Sequence, residues 1–333
     1  MKLGVILIII AGFALVAYLI HYIGFDAVLS AVTAVGWSGF AIFCGLGLIN
    51  FALLGIAWWV LVPGMKLGDI PTFAWGRMMR DSSAELLPFS QVGGFVFGAR
   101  ALVIRGVPTS AATASTIVDV TTELLAQLAF IAIGLVMLTL RAPASPFKTS
   151  LTTAMLIGLG LALVATVGFV ITQQRGLGFL EKAIERFLPK ALEHTAAVNQ
   201  LLAKIHSSRV RMGISSAVHL ASWVTGALGT WVVMRLVGAH IEFGAALAIE
   251  ALLCAVRSAA FAIPSAVGVQ ELTYAFVVPL FGLPPSIGLA VSLIKRGRDI
   301  VVGGPILLVW QFMEGHRQIA ARKPAVASAS EKK

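Results

Sequence analysis

Charged residues are scarce in this sequence, since Asp, Glu, Lys and Arg together make up 12% of its 333 residues. Soluble domains carry about 25% charged residues, so this chain has too few to cover a water-exposed surface. Hydrophobic residues reach 58%, and the mean hydropathy is +0.93. These values exclude a soluble globular fold and predict an integral membrane protein surrounded by lipid.

Cysteines and catalytic motifs are also few or missing. Cys44 and Cys254 lie in apolar stretches, without the spacing of metal ligands or a framework of partners. The sequence contains no P-loop, HExxH, GxSxG or dinucleotide-binding fingerprint. We therefore expect no enzymatic activity, no metal site and no cofactor.

Positive charge is in excess, with a net charge of +10. Nucleic-acid binding needs a basic face on a soluble module, which this chain lacks, so we expect no nucleic-acid partner. Basic residues favour the cytoplasmic side of a membrane. They concentrate in a hydrophilic loop, residues 173–211, and in the tail, so both termini are predicted to be cytoplasmic. Apolar residues spaced from Leu177 to Leu188 fit either an amphipathic surface helix or a solvated connector.

A membrane-spanning helix needs about 20 apolar residues. Six stretches are long enough, namely residues 3–23, 37–62, 109–140, 151–172, 212–237 and 286–313. No cleavage site follows the first of them, so we interpret it as a retained span and not as a signal peptide.

Two further stretches, residues 71–105 and 243–281, are apolar but interrupted near Pro88 and Pro264 by proline with glycine. Broken backbone at membrane depth is tolerated only where it is buried in protein or lines a cavity. We predict that each stretch forms a re-entrant hairpin of two half-helices. The alternative is a pair of short, kinked full spans.

The two interrupted stretches are related by a constant offset. Pro88 and Pro264 are 176 positions apart (264 − 88), and the same offset pairs Asp119 with Lys295. Three spans separate the two copies, which predicts that the second is inverted relative to the first. Inverted repeats with interrupted helices are typical of secondary transporters, whose substrate sites lie at the breaks.

The predicted fold is an all-α integral membrane protein with six spanning helices and two oppositely oriented re-entrant hairpins in an inverted repeat. Its parts are one transmembrane domain (1–313) with a first repeat (about 71–140), a cytoplasmic loop (173–211) and a second repeat (about 243–313), followed by a disordered tail (314–333).

Charges inside the apolar stretches cost at least about 2.5–3.5 kcal/mol at the bilayer centre, which makes them functional candidates. Arg77, Asp81 and Glu85 share one helical face, with Arg80 beside them. This pattern favours either a ligand site or a self-neutralising ladder of ion pairs near the membrane surface.

Asp119 and Glu123 are four residues apart and repel each other if both are ionised. Either one is protonated or a cation from another helix lies between them. In the last span, Lys295 is spaced to pair with Asp299, which leaves Arg298 free. The repeat suggests Asp119 and Glu123 as its partners, in a relay, a headgroup site or a structural salt bridge.

Arg257 precedes the second break and is a candidate ligand for phosphate or carboxylate, because its guanidinium is a planar fork of donors. Alternatively, it caps backbone carbonyls that the break leaves free. We interpret His219 as a packed polar residue. The candidate transport-pathway residues are Arg80, Asp81, Glu85, Pro88, Gln91, Asp119, Glu123, Arg257, Pro264, Gln270, Glu271, Lys295, Arg298 and Asp299.

Two motifs carry a family resemblance, RDSSAELLPFSQVGG at residues 80–94 and STIVDVTTEL at 115–124. They resemble signatures of the hopanoid-biosynthesis-associated inner-membrane proteins, a group similar to the flippase-like membrane part of lysylphosphatidylglycerol synthase. The resemblance covers nearly the whole chain and implies a bacterial inner-membrane protein that moves or handles a lipid. The full synthase adds a soluble aminoacyl-transfer domain, whereas residues 314–333 alone follow the last predicted span here. We therefore expect no aminoacyl-lipid synthesis.

A lipid flippase or transporter is the leading hypothesis, with hopanoids or phospholipids as partners. Arg80, Arg257 and Arg298 would orient a polar headgroup, while the neighbouring carboxylates balance charge and offer sites for proton coupling. Two alternatives stay open. One is a non-catalytic scaffold for lipid-biosynthesis or export proteins, and the other is an intramembrane lipid-modifying enzyme.

Overall fold

Helices account for every regular element that the computed structural model describes, which covers residues 3–87, 90–174 and 192–330. The α-helices in chain order are α1 (Leu3–Ile23), α2 (Phe25–Ala34), α3 (Gly36–Leu61), α4 (Ile70–Leu86), α5 (Ser90–Ile104), α6 (Thr109–Arg141), α7 (Pro146–Gln174), α8 (Leu192–Ser207), α9 (Arg209–Leu236), α10 (Phe243–Ala259), α11 (Val269–Val277) and α12 (Pro285–Ser330). A helix satisfies its own backbone hydrogen bonds, which lipid cannot do. The all-α prediction is confirmed for these ranges.

Five helices in the described ranges are long and apolar enough to cross a membrane, namely α1, α3, α6, α7 and α9. Their most apolar windows have mean hydropathies from 1.3 to 2.5. They match five of the six predicted spans, so the chain is a multi-pass membrane protein. The sixth predicted span, residues 286–313, lies within α12. Four charged residues between positions 295 and 299 keep it out of this set.

The first interrupted stretch forms two short helices, α4 and α5, which pack antiparallel. A Cβ atom on Gly94 would lie 2.6 Å from the carbonyl oxygen of Arg80, and one on Gly98 would lie 3.2 Å from that of Gly76. From Gly94 to Gly98 along α5, the contacted residue on α4 changes from Arg80 back to Gly76, so the two helices run in opposite directions. Because Gly94 and Gly98 have no side chains, the two helices can approach this closely. α4 ends at Leu86 as predicted, but α5 already begins at Ser90, so the glycines of the predicted break lie inside a helix.

The second interruption separates α10 from α11. Its backbone includes a 3-10 turn at Pro264–Ala266, and three residues have left-handed φ angles: Ser265 (51°), Ala266 (45°) and Gly268 (84°). Such angles are unfavourable for residues that carry a Cβ atom, at about 1 kcal/mol or more each. The turn is therefore held by contacts from outside it, which are described below.

The 176-residue offset holds in the structure. α6 begins at Thr109 and α12 at Pro285, so both helices start at equivalent positions. Each is preceded by a glycine with a left-handed φ angle, 95° at Gly106 and 78° at Gly282. Helices α4, α5 and α6 thus correspond to α10, α11 and α12, which we call the first and second repeat units.

The core lies where α10 packs against α6 and α9. Every residue of α10 from Ala245 to Cys254 is buried. Gly134 on α6 makes the approach possible, since a Cβ atom there would lie 2.0 Å from the Cβ of Ala251. This continuous buried run thus belongs to an interrupted stretch.

Part of the hydrophilic loop folds back on the bundle as α8. Val198, Leu202 and Ile205 on this helix are buried in a cluster with Leu61 and Val118. The stretch from Leu177 to Leu188, for which we weighed a surface helix, lies outside the described residues. At the other end of the chain, α12 continues to Ser330, where composition led us to expect disorder. Alanine, lysine and arginine, which are common there, favour helix.

Candidate functional site

A cavity of about 440 Å³ lies among α3, α4, α6, α9, α10 and α12. Its polar lining comes from both repeat units. The ionisable residues that line it are Arg77, Arg80, Arg257, Lys295 and Arg298, with Asp81, Glu85, Glu123, Glu250 and Asp299. Five basic and five acidic groups at one cavity are unusual in a membrane protein, where such groups mark ligand or ion pathways. Aromatic rings, including those of Phe51 and Phe95, complete the wall.

Arg77 and Arg80 neutralise the two carboxylates on α6. Asp119 Oδ2 accepts hydrogen bonds from Arg77 Nη1 at 3.0 Å and Arg80 Nη1 at 2.7 Å. Glu123 binds Arg77 Nη2 at 3.0 Å and Arg80 Nη2 at 2.5 Å. Of the two predicted solutions for the carboxylates, the cation from another helix is confirmed. Arg77 is buried within the protein, with 2% of its surface exposed.

Arg298 does not bind this carboxylate pair, so that prediction is wrong. Its guanidinium binds Asp299 on the same helix at 2.8 Å and lies 4.8 Å from the ring centroid of Phe43. The two arginines of α4 already saturate Asp119 and Glu123. The predicted pairing failed because the cations that bind Asp119 and Glu123 come from α4 of the same repeat unit and not from α12 of the other.

His219 on α9 is fully buried, and its Nε2 lies 3.0 Å from Asp119 Oδ1. The carboxylate therefore contacts a group on each of two other helices. The interpretation of His219 as a packed polar residue is confirmed, but its hydrogen bond with Asp119 was not predicted. One hundred residues separate it from Asp119, and no local spacing could have joined them.

Lys295 pairs with Glu250 and not with Asp299, which corrects the second predicted pair. Lys295 Nζ donates to Glu250 Oε2 at 2.7 Å and to the Tyr274 hydroxyl at 3.0 Å. The other oxygen of Glu250 accepts from Thr230 at 2.7 Å and from Tyr274. Sequence reasoning overlooked Glu250, although a lone carboxylate in an apolar helix is a visible signal.

The two repeat units use the same pairing with opposite charges. In the first, basic residues on α4 bind Asp119 on α6. In the second, acidic Glu250 on α10 binds Lys295 on α12, at the position equivalent to Asp119. In both units the first helix is joined to the third by a buried ion pair, which fixes the geometry of the cavity wall.

Glu85 and Arg257 join the two repeat units at their breaks. Arg257 donates to Glu85 and, at 2.5 Å, to Gln270 Oε1, while Ser265 Oγ donates to the backbone carbonyl of Glu85. The predicted ladder on α4 is therefore only half present. Arg77 pairs with Asp81 at 3.3 Å, but Glu85 turns to the other unit.

The carbonyls freed by the second break are capped by Arg296, a residue outside the predicted set. It donates to Ser265 O at 2.8 Å, to Ala266 O at 3.3 Å and to Glu271 Oε1 at 3.0 Å. Glu271 in turn accepts from the backbone nitrogen of Gly268 at 2.8 Å. The capping alternative for Arg257 is therefore wrong, and its side chain stays at the cavity.

The candidate residues occupy different places relative to the cavity. Pro88 lies outside the described residues, and nothing is described of the Gln91 side chain beyond its position in α5. Asp119, Gln270 and Glu271 are buried behind the cavity wall as its supports. Pro264 begins the 3-10 turn of the second break. The other candidates line the cavity itself.

The fold and its charged cavity define a multi-pass helical membrane protein with a polar site lined by two related helix units together with α3 and α9. Residues 5–305 match the family described as the lysylphosphatidylglycerol synthase TM region, and the chain belongs to this family. The family is related to membrane lipids, which agrees with the broader part of the predicted resemblance. Neither the curated proteins nor the solved structures searched contain a match.

Proposed function

We propose that this protein moves a polar lipid headgroup across the membrane through the cavity, while the acyl chains stay in the bilayer. The main observation in support of this proposal is that charged side chains of both repeat units line one cavity of about 440 Å³. This volume falls in the range of about 300–1,000 Å³ that small-molecule sites occupy. Arg80, Arg257 and Arg298 offer guanidinium donors to a phosphate or a polyol, and their carboxylate partners keep them neutralised before the headgroup enters.

The movement follows from the repeat. Helix units that are inverted relative to each other can exchange an inward-open for an outward-open arrangement by rocking around a shared site. The bond between Glu85 and Arg257 would close the cavity in one arrangement and separate in the other. After they separate, Arg257 can still donate a hydrogen bond to Gln270, and Glu85 still has Arg296 as a neighbouring cation. Neither charge therefore loses all of its partners.

The membrane topology belongs to the same proposal. The two helix units form re-entrant hairpins entered from opposite sides, α12 supplies the sixth span, and both termini are cytoplasmic in a bacterial inner membrane. Outward-facing Ile300, Leu308 and Phe312 support lipid contact along α12, since each is more than 60% exposed. Fusion of fluorescent protein or alkaline phosphatase after Ser330 tests it: fluorescence is expected, and phosphatase activity contradicts it.

Hopanoids are the proposed context within the lipid class, on the strength of the motif at residues 80–94. A deletion strain is expected to keep its hopanoids but to distribute them differently between membranes. Loss of a lipid product would favour an intramembrane enzyme. An unchanged lipid distribution together with a stable complex of biosynthetic enzymes on affinity purification would favour a scaffold.

Reconstitution tests the transport step itself. The protein is placed in vesicles of phosphatidylcholine and phosphatidylglycerol that carry a trace of acyl-labelled fluorescent phosphatidylglycerol. Dithionite, which does not cross the membrane, bleaches only the outer leaflet of protein-free vesicles. With the protein present, we expect bleaching to continue as inner-leaflet lipid emerges, and the same assay is applied to a fluorescent hopanoid polyol.

A matched pair of arginine variants assigns the movement to the cavity. Arg298→Gln removes a cavity cation and is expected to slow translocation about tenfold or more, since a charge-assisted contact contributes about 1.5–3 kcal/mol. Arg100→Gln removes an arginine that is half exposed and binds Glu314 outside the cavity, and it should leave the rate unchanged. No protein-dependent bleaching with either lipid, or equal rates for both variants, contradicts the proposal.

A further inference from the structure

We propose that His219 and Asp119 together bind an exchangeable proton, and that this proton couples headgroup movement to the pH difference across the membrane. The inference rests on the proposed function and deepens it, because it names the coupling ion. Two observations support it. One is the net charge of the ion-pair network around the cavity, and the other is the Nδ1 atom of His219, which has no hydrogen-bond partner among the described residues.

The ion-pair network around the cavity has one carboxylate too many. Its cations are Arg77, Arg80, Arg257, Lys295, Arg296 and Arg298, and its carboxylates are Asp81, Glu85, Asp119, Glu123, Glu250, Glu271 and Asp299. Six cations thus face seven carboxylates within the described ranges, which leaves a charge of −1 while His219 is neutral. An anionic headgroup would raise this charge to −2, which is costly inside a membrane, and a proton bound together with the headgroup offsets the added charge.

His219 is built to take that proton. Its Nε2 lies 3.0 Å from Asp119 Oδ1, and because a carboxylate only accepts, Nε2 carries the hydrogen in this bond. Its Nδ1 is buried and has no hydrogen-bond partner among the described residues. A proton on Nδ1 turns the ring into an imidazolium that directly contacts an ionised carboxylate, which stabilises it.

The surroundings of α9 single out this site. The helices around it carry charged groups at Asp119, Glu123 and Arg141 on α6, at Arg77, Arg80, Asp81 and Glu85 on α4, at Glu250 and Arg257 on α10, and at Lys295, Arg296, Arg298 and Asp299 on α12. The titratable side chain of α3 is Cys44, and the last turn of α8 holds Lys204 and His206. Arginine does not release its proton in proteins. Glu250 is saturated by Lys295, Tyr274 and Thr230. His219 is the imidazole that contacts the surplus carboxylate.

Arg80 links this proton to the headgroup. It lines the cavity and also donates to Asp119 Oδ2 at 2.7 Å. A phosphate that binds Arg80 adds a negative charge and weakens that hydrogen bond. The carboxylate of Asp119 then interacts more strongly with His219, which favours the imidazolium form of the ring. A proton from the water on the loading side therefore binds Nδ1. When the headgroup leaves, Arg80 returns to Asp119 and the proton departs to the opposite side. The proton and the anionic headgroup therefore travel together.

A pH gradient across reconstituted vesicles tests the coupling. With trace fluorescent phosphatidylglycerol as the probe, the wild-type protein is expected to accumulate the label in the leaflet facing the more alkaline side. One coupled proton allows up to about a tenfold ratio per pH unit. His219→Gln is expected to leave the ratio near one. A wild-type protein that translocates lipid but ignores the gradient overturns proton coupling while the proposed function stands.

Nitrogen NMR on the ring reads the proton without any transport. Replacing His21, His194, His206, His240 and His316 by glutamine leaves His219 as the sole imidazole, and none of the five lines the cavity. We expect both ring nitrogens to carry a proton at the acidic end of a pH series and one of these protons to be absent at the alkaline end. A ring that stays neutral throughout the series, or doubly protonated throughout it, overturns the inference even if the protein moves lipid. A titrating ring in a protein that moves no lipid supports the proton site and instead refutes the proposed function.

Discussion

Glu85, the last charged residue before the first helix break, accepts a hydrogen bond from Arg257, the last charged residue before the second. The two residues are 172 positions apart, and each side chain is about one fifth exposed, at 21% and 22%. Two sequence interruptions that look like independent irregularities are therefore one structural unit. Their contact makes the cavity a feature of the paired repeat units and not of either alone.

The Glu85–Arg257 contact should appear as an energetic coupling. Each single variant, Glu85→Gln or Arg257→Gln, leaves the opposite charge without its main partner. We expect each to lower the free energy of unfolding by about 1–3 kcal/mol, less than for a fully buried pair because water reaches both groups. Thermal unfolding in detergent measures the effect.

The double variant should lose less than the sum of the two single variants, by about 0.5–3 kcal/mol. Strict additivity would show that the two side chains do not interact in the membrane protein. Arg100→Gln with Glu314→Gln provides a control pair at the exposed surface, for which a coupling near zero is expected.

Asp119 should be the carboxylate most costly to neutralise. Its side chain is fully buried between two arginines and His219, so Asp119→Asn leaves buried cations without a counter-charge. The expected loss is about 3–5 kcal/mol, large enough to reduce the yield of folded protein. Glu242→Gln is the matched control, because that side chain is 68% exposed and should change stability by less than about 0.5 kcal/mol. Equal effects of the two variants would contradict the buried network.

Gly134 tests the packing of α6 on α10. An alanine there brings its Cβ within 2.0 Å of the Cβ of Ala251, so Gly134→Ala should destabilise the protein by about 1–3 kcal/mol. Adding Ala251→Gly removes the colliding atom and should restore most of the loss. Gly158→Ala on α7, where nothing lies within 4 Å, should be neutral or stabilising by up to about 1 kcal/mol. If Ala251→Gly does not restore the stability of the Gly134→Ala variant, α6 and α10 do not pack through these two residues.

The sequence was most informative about features that depend on neighbouring residues. Five apolar runs predicted helices within a few residues because hydrophobic length alone decides such spans. The repeat could be found because one offset pairs Pro88 with Pro264 and Asp119 with Lys295, and the structure adds left-handed glycines, Gly106 and Gly282, at the same offset. Charged positions were also located well, since a carboxylate such as Asp119 stands out in an apolar helix.

Partner choice could not be predicted, because it depends on which helices pack together. Spacing along one helix suggested that Lys295 binds Asp299, but the packing of α10, α11 and α12 brings Glu250 closer. Likewise, His219 meets Asp119 only because α9 packs on α6. Helix α8 was missed as an element because its apolar face is short and the loop around it is basic.

Thiol accessibility tests most directly whether a watery, charged cavity exists inside the membrane and opens to both sides. Cys44→Ser and Cys254→Ser remove the native thiols, and Ser258→Cys then places one thiol at the cavity, with Gly160→Cys on the lipid-exposed face of α7 as the control. In membrane vesicles of either orientation, a charged, impermeant thiol reagent should label position 258 from each side and leave position 160 unlabelled. Labelling of position 258 from one side alone, or as poor as at position 160, would contradict the account.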